Sequence, residues 1–158
     1  MELNPYAKYL GDRDALETIR ATAGAVRGLV ERMPVEQVAL CVPGKKWNAR
    51  EIVCHLADCE LAFGFRLRQT LVEDGPVLQP FDQERWALRY GNLSVEAALR
   101  MFEAARAWNV LLIEATTAEE RARMATHPER GTMTLWTIVE TMGGHDINHL
   151  GQLERLAG

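Results

Sequence analysis

The chain has 158 residues with 47 % hydrophobic and 25 % charged positions, the balance of an ordinary globular protein with room for one domain and its core. The formal net charge of -4 argues against nucleic-acid binding, because phosphate recognition calls for a basic face. The densest cationic run, Lys45-Lys46-Trp47-Asn48-Ala49-Arg50, is short and followed at once by Glu51. Met1 to Tyr6 shows neither a basic nor an apolar leader region, and stretches such as Val110-Leu111-Leu112-Ile113 are too short to span a bilayer. Cys41, Cys54 and Cys59 are irregularly spaced and read as reduced thiols. A soluble, cytoplasmic protein with no membrane partner is expected.

In chain order, the first long helix is predicted from an Asp12 N-cap to about Met33, stopped by Pro34. Leu16, Ile19, Ala23, Val26 and Val30 step along it by three and four. Residues 35 to 46 read as a short helical turn and a loop. The second helix has the clearest start: Asn48 and Glu51 form a capping box, with Trp47 placed to staple against Ile52. It is predicted to end near Val72 or Glu73, before Gly75-Pro76.

Residues 74 to 93 form a long connection with a short helix around Asp82 to Tyr90. Ser94 caps a third helix reaching about Glu114, with Ala97, Met101, Ala104, Trp108 and Leu112 along one side. Thr117 and Glu120 open another short helix. A loop through His127, Pro128 and Gly131, with His127 read as a surface residue, leads to a fourth helix over about Thr134 to Leu156. No segment alternates as a strand does. Four long helices predict an all-α four-helix bundle, 1–158 as one domain, and the twenty-residue connection between helices two and three predicts a crossover.

The histidines carry the functional signal. His145 and His149 at i and i+4 lie about 40° and about 6 Å apart on a helix, so both imidazoles leave one face. Ile138, Met142, His145, His149, Gln152 and Leu156 share that stripe, and Ile52, His55, Cys59 and Phe63 share one on the second helix. Both stripes carry apolar residues and should face the interior, where His55, His145 and His149 would meet. Three imidazoles suit a divalent transition metal, and a three-ligand set leaves a position open for water or substrate.

Alternatives stand beside this. Cys59, at i+4 from His55, would close the site if it ligated, and it is equally a small apolar packing residue. Gly143-Gly144 predicts either close approach by another element or a kink. Asp146 replaces the glutamate of HExxH and points off the ligand face, which excludes a zincin protease. Asp58, Glu60, Asn148 and Gln152 are the nearest polar candidates to orient ligands or touch substrate.

Lys46-Trp47-Asn48-Ala49-Arg50-Glu51-Ile52-Val53-Cys54-His55, continuing to Glu60 five residues on, resembles the first signature of the DinB/YfiT-like superfamily. His145-Asp146-Ile147-Asn148-His149-Leu150-Gly151-Gln152-Leu153 is similar to its second, and Asp82-Gln83-Glu84-Arg85-Trp86 fits its middle segment. The resemblance covers almost the whole chain. It implies a four-helix bundle with a crossover between helices two and three, often a homodimer, with zinc or nickel on His55, His145 and His149. Some members of that superfamily transfer or isomerise substrates with low-molecular-weight thiols. A metal-dependent thiol S-transferase or hydrolase acting on a small electrophile is therefore expected. The alternative is a non-catalytic metal- or ligand-binding stress protein whose metal stabilises the bundle.

Overall fold

The computed structural model describes residues 3–41, 43–44 and 46–158. Met1, Glu2 and Lys45, which entered the readings of the N-terminus and the cationic run, lie outside the described residues. In order come α1 (Ala7–Leu10), α2 (Ala15–Arg32), α3 (Val35–Val38), α4 (Ala49–Val72), α5 (Gln83–Ala87) and a 3-10 turn (Tyr90–Asn92). Then follow α6 (Val95–Glu114), α7 (Ala118–Arg121), β1 (Met124–His127), β2 (Gly131–Thr134) and α8 (Leu135–Ala157).

The four long helices start where capping chemistry puts them. Asn48 accepts from the Glu51 amide at 3.0 Å while Glu51 accepts from the Asn48 amide at 2.9 Å, completing the capping box of α4. Ser94 and Thr134 cap α6 and α8. The first cap is not Asp12 but Asp14, which accepts from the Glu17 amide at 2.8 Å. Gly11 explains the difference: at φ 58° it ends α1 in a turn, and Asp12 lies within that turn.

Side-chain ties fix helix directions. Arg27 bonds Glu103 and Arg20 bonds Glu114, so α2 and α6 run antiparallel. Glu60 pairs with Arg106 and Arg68 bonds Asn109, so α4 and α6 run parallel. Helix α8 lies antiparallel to α4, with Ile138 and Met142 clustering with Phe63 and Leu67, and Leu153 and Leu156 with Ile52. Parallel neighbours demand a crossover, and 73–94 supplies it by running back along α4. Arg66 donates to the Gln79 carbonyl at 2.8 Å, Tyr90 to Asp58 at 2.8 Å, and Arg50 to the Gly91 carbonyl at 2.7 Å.

Two further expectations are corrected. The segment read as a loop before α8 is an antiparallel hairpin, with Ala125 opposite Met133 and His127 opposite Gly131. Its strands are four residues each, too short for an alternating pattern to stand out. Residues 76–78 bind its free edge through Leu78 N–H to the Thr126 carbonyl and Thr126 N–H to the Pro76 carbonyl, both at 2.9 Å. The second correction concerns α6. The side bearing Met101, Ala104 and Trp108 is exposed, and the inward stripe is Leu99, Phe102, Arg106, Asn109 and Ile113. Apolar count favoured the wrong face because two buried carboxylates draw an arginine and an asparagine inward.

The glycine pair marks a close approach. A Cβ on Gly144 would strike the Tyr6 carbonyl oxygen and come within 2.8 Å of the Tyr6 Cβ. On Gly143 it would lie 3.0 Å from Leu10 Cδ1. The glycines let α1 seat on α8 and bring Tyr6 to the histidines.

Candidate metal centre

The two predicted stripes converge. His55 from α4 and His145 from α8 face each other at 3.0 Å between Nε2 atoms. Cys59 Sγ lies 3.5 Å from His55 Nε2 and 3.7 Å from His145 Nε2. Among the described residues these three form one group with donor atoms within 4.8 Å of one another, all buried. His149 abuts the group, its ring centroid 4.5 Å from His145 and 4.9 Å from His55, but its nitrogen is not part of that closest trio. Spacing alone placed Cys59 on the right stripe, and the packing puts its sulfur at the centre.

Aromatic rings wall the cluster. Trp47, the residue before the α4 cap, packs on His55 at 4.6 Å and stacks along His149 at 6.1 Å. Tyr6 and Phe63 meet His145 edge-on at 5.1 and 5.9 Å. Burial disfavours the charged imidazolium, and the neighbouring histidines add to it, so the pKa of His55 falls to about 2 and that of His149 to about 3. Both rings are neutral at ordinary pH, with lone pairs free to bind a cation. Gln152 Oε1 lies 3.1 Å from His149 Nδ1; an acceptor there assigns the proton to Nδ1 and leaves the Nε2 lone pair free to bind a metal.

Cys59 differs. Burial pushes its thiol well above the usual range, and the Glu60 and Asp146 charges push it further. His145 Nδ1 is buried without a hydrogen-bond partner, and its nearest carboxylate oxygen, on Asp146, stands 3.9 Å away. Two Nε2 atoms at hydrogen-bond distance with a sulfur beside them make a donor set that fits a divalent transition metal.

The polar candidates separate. Asn148 and Gln152 line a cavity of about 290 Å³ together with His149, Trp47 and Tyr6. Asp58 and Glu60 turn elsewhere. Asp58 accepts from the Tyr90 hydroxyl, fastening the crossover to α4. Glu60 is 1 % exposed and accepts from Arg106 Nη2 at 2.7 Å and Asn109 Nδ2 at 3.0 Å. Asp146 does leave the ligand face, yet it is buried and accepts from Arg106 at 2.6 and 3.1 Å.

Sequence reasoning passed over Arg106, although its place in the 99-102-106-109-113 spacing was a usable signal. It also passed over Tyr6, for which no local signal existed. His127, expected at the surface, is 4 % exposed and lines a second cavity of about 500 Å³ with Cys59, His145 and Tyr6. The hairpin's pleat turns it inward alongside Ala125.

With this geometry the relatives are informative. A profile of the DinB superfamily matches residues 18–153. The chain belongs to the DinB superfamily. Two similar proteins are provisionally named metal-dependent hydrolases. One, from Oceanobacillus iheyensis, is 29 % identical over 111 residues, covering 70 % of this chain and 64 % of the relative. The other, from Geobacillus thermodenitrificans, is 25 % identical over 147 residues, covering 91 % and 83 %. This DinB-superfamily chain thus spans under two thirds of the first relative's length.

The fold matches that of YfiT from Bacillus subtilis, described as having an unusual four-helix bundle topology. The TM-score is 0.80 at 21 % identity, over 89 % of this chain and 84 % of that one. It also matches a mycothiol-dependent maleylpyruvate isomerase at a TM-score of 0.70 and 12 % identity, over 88 % and 59 %. No helix among the described residues is long and apolar enough to cross a membrane.

Proposed function

We propose that this protein is a metal-dependent enzyme of the hydrolase or thiol-transferase kind, acting at the histidine cluster. The observation that carries the reading is the convergence of buried imidazole and thiol donors on a point reached by two cavities. One opens beside His149 and the other beside His145 and Cys59. Such access suits chemistry better than a closed structural site. We propose zinc or nickel on His55, His145 and His149, with Cys59 beside them as a neutral thiol rather than a thiolate ligand. A divalent cation held there supplies Lewis acidity, lowering the pKa of a coordinated water or thiol towards neutrality.

The chain's own residues do the rest. Gln152 holds the His149 tautomer that presents Nε2. Trp47, Tyr6 and Phe63 exclude bulk water from the imidazoles, which strengthens electrostatic interactions inside. Tyr6 and Gln83 line both cavities, so two reactants could be held on either side of the cluster. That pairing favours transfer from a low-molecular-weight thiol to a small electrophile, and the names of the metal-dependent and mycothiol-dependent relatives agree with it.

The decisive experiment measures metal uptake and turnover in His55→Ala, His149→Ala and Cys59→Ser, with cobalt(II) as the spectroscopic probe. Loss of uptake in the histidine variants, retention in Cys59→Ser and no sulfur-to-cobalt charge-transfer band support the reading. Unchanged uptake in His55→Ala defeats it. A strong sulfur-to-cobalt band lost in Cys59→Ser would favour the alternative, a non-catalytic metal-binding protein.

The proposal extends to a cytoplasmic homodimer. Cys41, Cys54 and Cys59 are all unpaired, as a reducing compartment requires. Exposed Phe65 and Trp108 offer apolar area to a second copy, and sedimentation velocity tests that state.

A further inference from the structure

The larger cavity holds a second cluster that the metal reading leaves unused. Arg66 from α4, His127 from the end of β1 and Arg130 from the hairpin turn all line it, together with Cys59 and His145. Arg66 is only 8 % exposed and His127 only 4 %. Burying a guanidinium is costly unless an anion or several hydrogen bonds compensate. Among the described residues, no carboxylate oxygen lies within 4.0 Å of Arg66 or Arg130, although Arg106 nearby in α6 has two such partners. Arg66 uses one amino group on the Gln79 carbonyl at 2.8 Å and rests against the Phe81 ring. Its other donors remain available to the cavity.

The two guanidiniums repel each other, and both disfavour a charge on His127. Burial and then Arg130 hold the Arg66 pKa below its ordinary value. Burial, Arg130 and Arg66 do the same to His127. Meanwhile His127 Nδ1 accepts from the Glu129 amide at 3.2 Å, so the ring's proton sits on Nε2 as a donor. Of the cavity's two carboxylates only Glu129 offsets this repulsion, in part and without an ion pair to Arg66 or Arg130. Asp82 is exposed and accepts from the amides of Glu84 and Arg85 as the cap of α5, and Glu129 is exposed.

We propose that Arg66, Arg130 and His127 form a subsite for the oxyanion of a small carboxylate- or phosphate-bearing substrate, whose other end lies towards Cys59 and His145. An arginine fork binds either oxyanion in two-point fashion, and a bound anion relieves the repulsion between the two guanidiniums. The cavity's volume of about 500 Å³ is of ligand size. The inference rests on the metal-centre reading only for the direction in which the substrate reacts. The anion subsite itself needs no metal.

The test therefore uses metal-free full-length protein, labelled with ¹⁵N at histidine and titrated with inorganic phosphate and, separately, malonate at constant ionic strength. A saturable shift of the His127 resonances is expected, weakened at least tenfold in Arg130→Gln, a half-buried position whose loss leaves the bundle intact. Arg66→Lys should retain more affinity than Arg66→Met. Preference between the two probes identifies carboxylate or phosphate as the natural group. Absence of a saturable shift with both probes overturns the subsite, as does binding to Arg130→Gln as tight as to the wild type. Failure of the metal reading would show separately, as unchanged zinc uptake in His55→Ala.

Discussion

Two buried polar clusters lie one residue apart on the same two helices, and they have opposite characters. His145 and Cys59 belong to the imidazole cluster, while their chain neighbours Asp146 and Glu60 belong to a charged knot around Arg106. The knot's charges are answered from within, although Arg106 Nε has no partner. Arg106 Nη1 and Nη2 reach two carboxylates and the Ile19 carbonyl, and Asn109 adds a bond to Glu60. The Arg106 pKa is drawn down by burial but driven above its ordinary value by Asp146 and Glu60. The imidazole cluster instead sets His55 Nε2 and His145 Nε2 within hydrogen-bond distance of each other and leaves His145 Nδ1 without a partner. A cluster whose charges are matched by its own members holds a fold together, whereas a set of imidazole and thiol donors is suited to taking up a cation.

Removing the knot's cation should have the largest effect. Arg106→Leu leaves Glu60 and Asp146 buried and uncompensated, and should lower unfolding free energy by about 3–5 kcal/mol in urea titrations. His55→Leu in metal-free protein should cost less than about 2 kcal/mol, because no charge is stranded. Equal losses would break the contrast.

Metal addition sharpens it from the other side. Zinc at a hundredfold excess over its dissociation constant should stabilise the wild type by about 2.7 kcal/mol and His55→Leu negligibly, as read by thermal unfolding. Gly144→Ala should cost about 1–3 kcal/mol by forcing Tyr6 and α1 away from α8. Its histidine resonances should shift, while bonds around Arg106 stay protected from hydrogen exchange.

The pH windows separate the clusters last. His55 and His149 titrate near 2 and 3 when folded and near the ordinary 6.5 when unfolded, so below pH 6.5 the unfolded chain takes up protons that the native protein refuses. Metal-free stability should therefore fall as pH drops, by at most about 1.4 kcal/mol per histidine over the unit below 6.5. Asp146 behaves at lower pH. Burial raises its pKa, but Arg106 outweighs this and holds it below the ordinary 3.8. Its stabilisation is present above 3.8 and is lost only as pH falls beneath that value. A flat profile between pH 6.5 and 5 would mean the histidines are not buried neutral bases.

How much was legible varies by residue. Asn48 with Glu51, and the stripes through His55 and His149, were readable because capping and helix periodicity act within a few residues of chain. Cys59's position on the stripe was equally readable, but not its distance from His145, which depends on how α4 and α8 cross. The hairpin Met124–Thr134 stands where a loop through His127, Pro128 and Gly131 is expected, because its strands are held by pairing to each other and to residues 76–78, not by local preference. His127 was misplaced with it. The inward face of α6 was missed because a buried arginine is favourable only if its carboxylates come from other helices.

By itself, then, the sequence determined four amphipathic helices, the starts of three of them, the crossover and the two histidine stripes, all consequences of local geometry. Only the tertiary structure decided that Glu60 is Arg106's partner rather than a ligand-orienting group, that Asp146 joins it there, that Cys59 meets the imidazoles, and that Tyr6 seats against Gly144. It alone brought Arg66, Arg130 and His127 around one cavity. Each of these is a meeting of side chains far apart in sequence, favourable only once the backbone has been folded to bring them together.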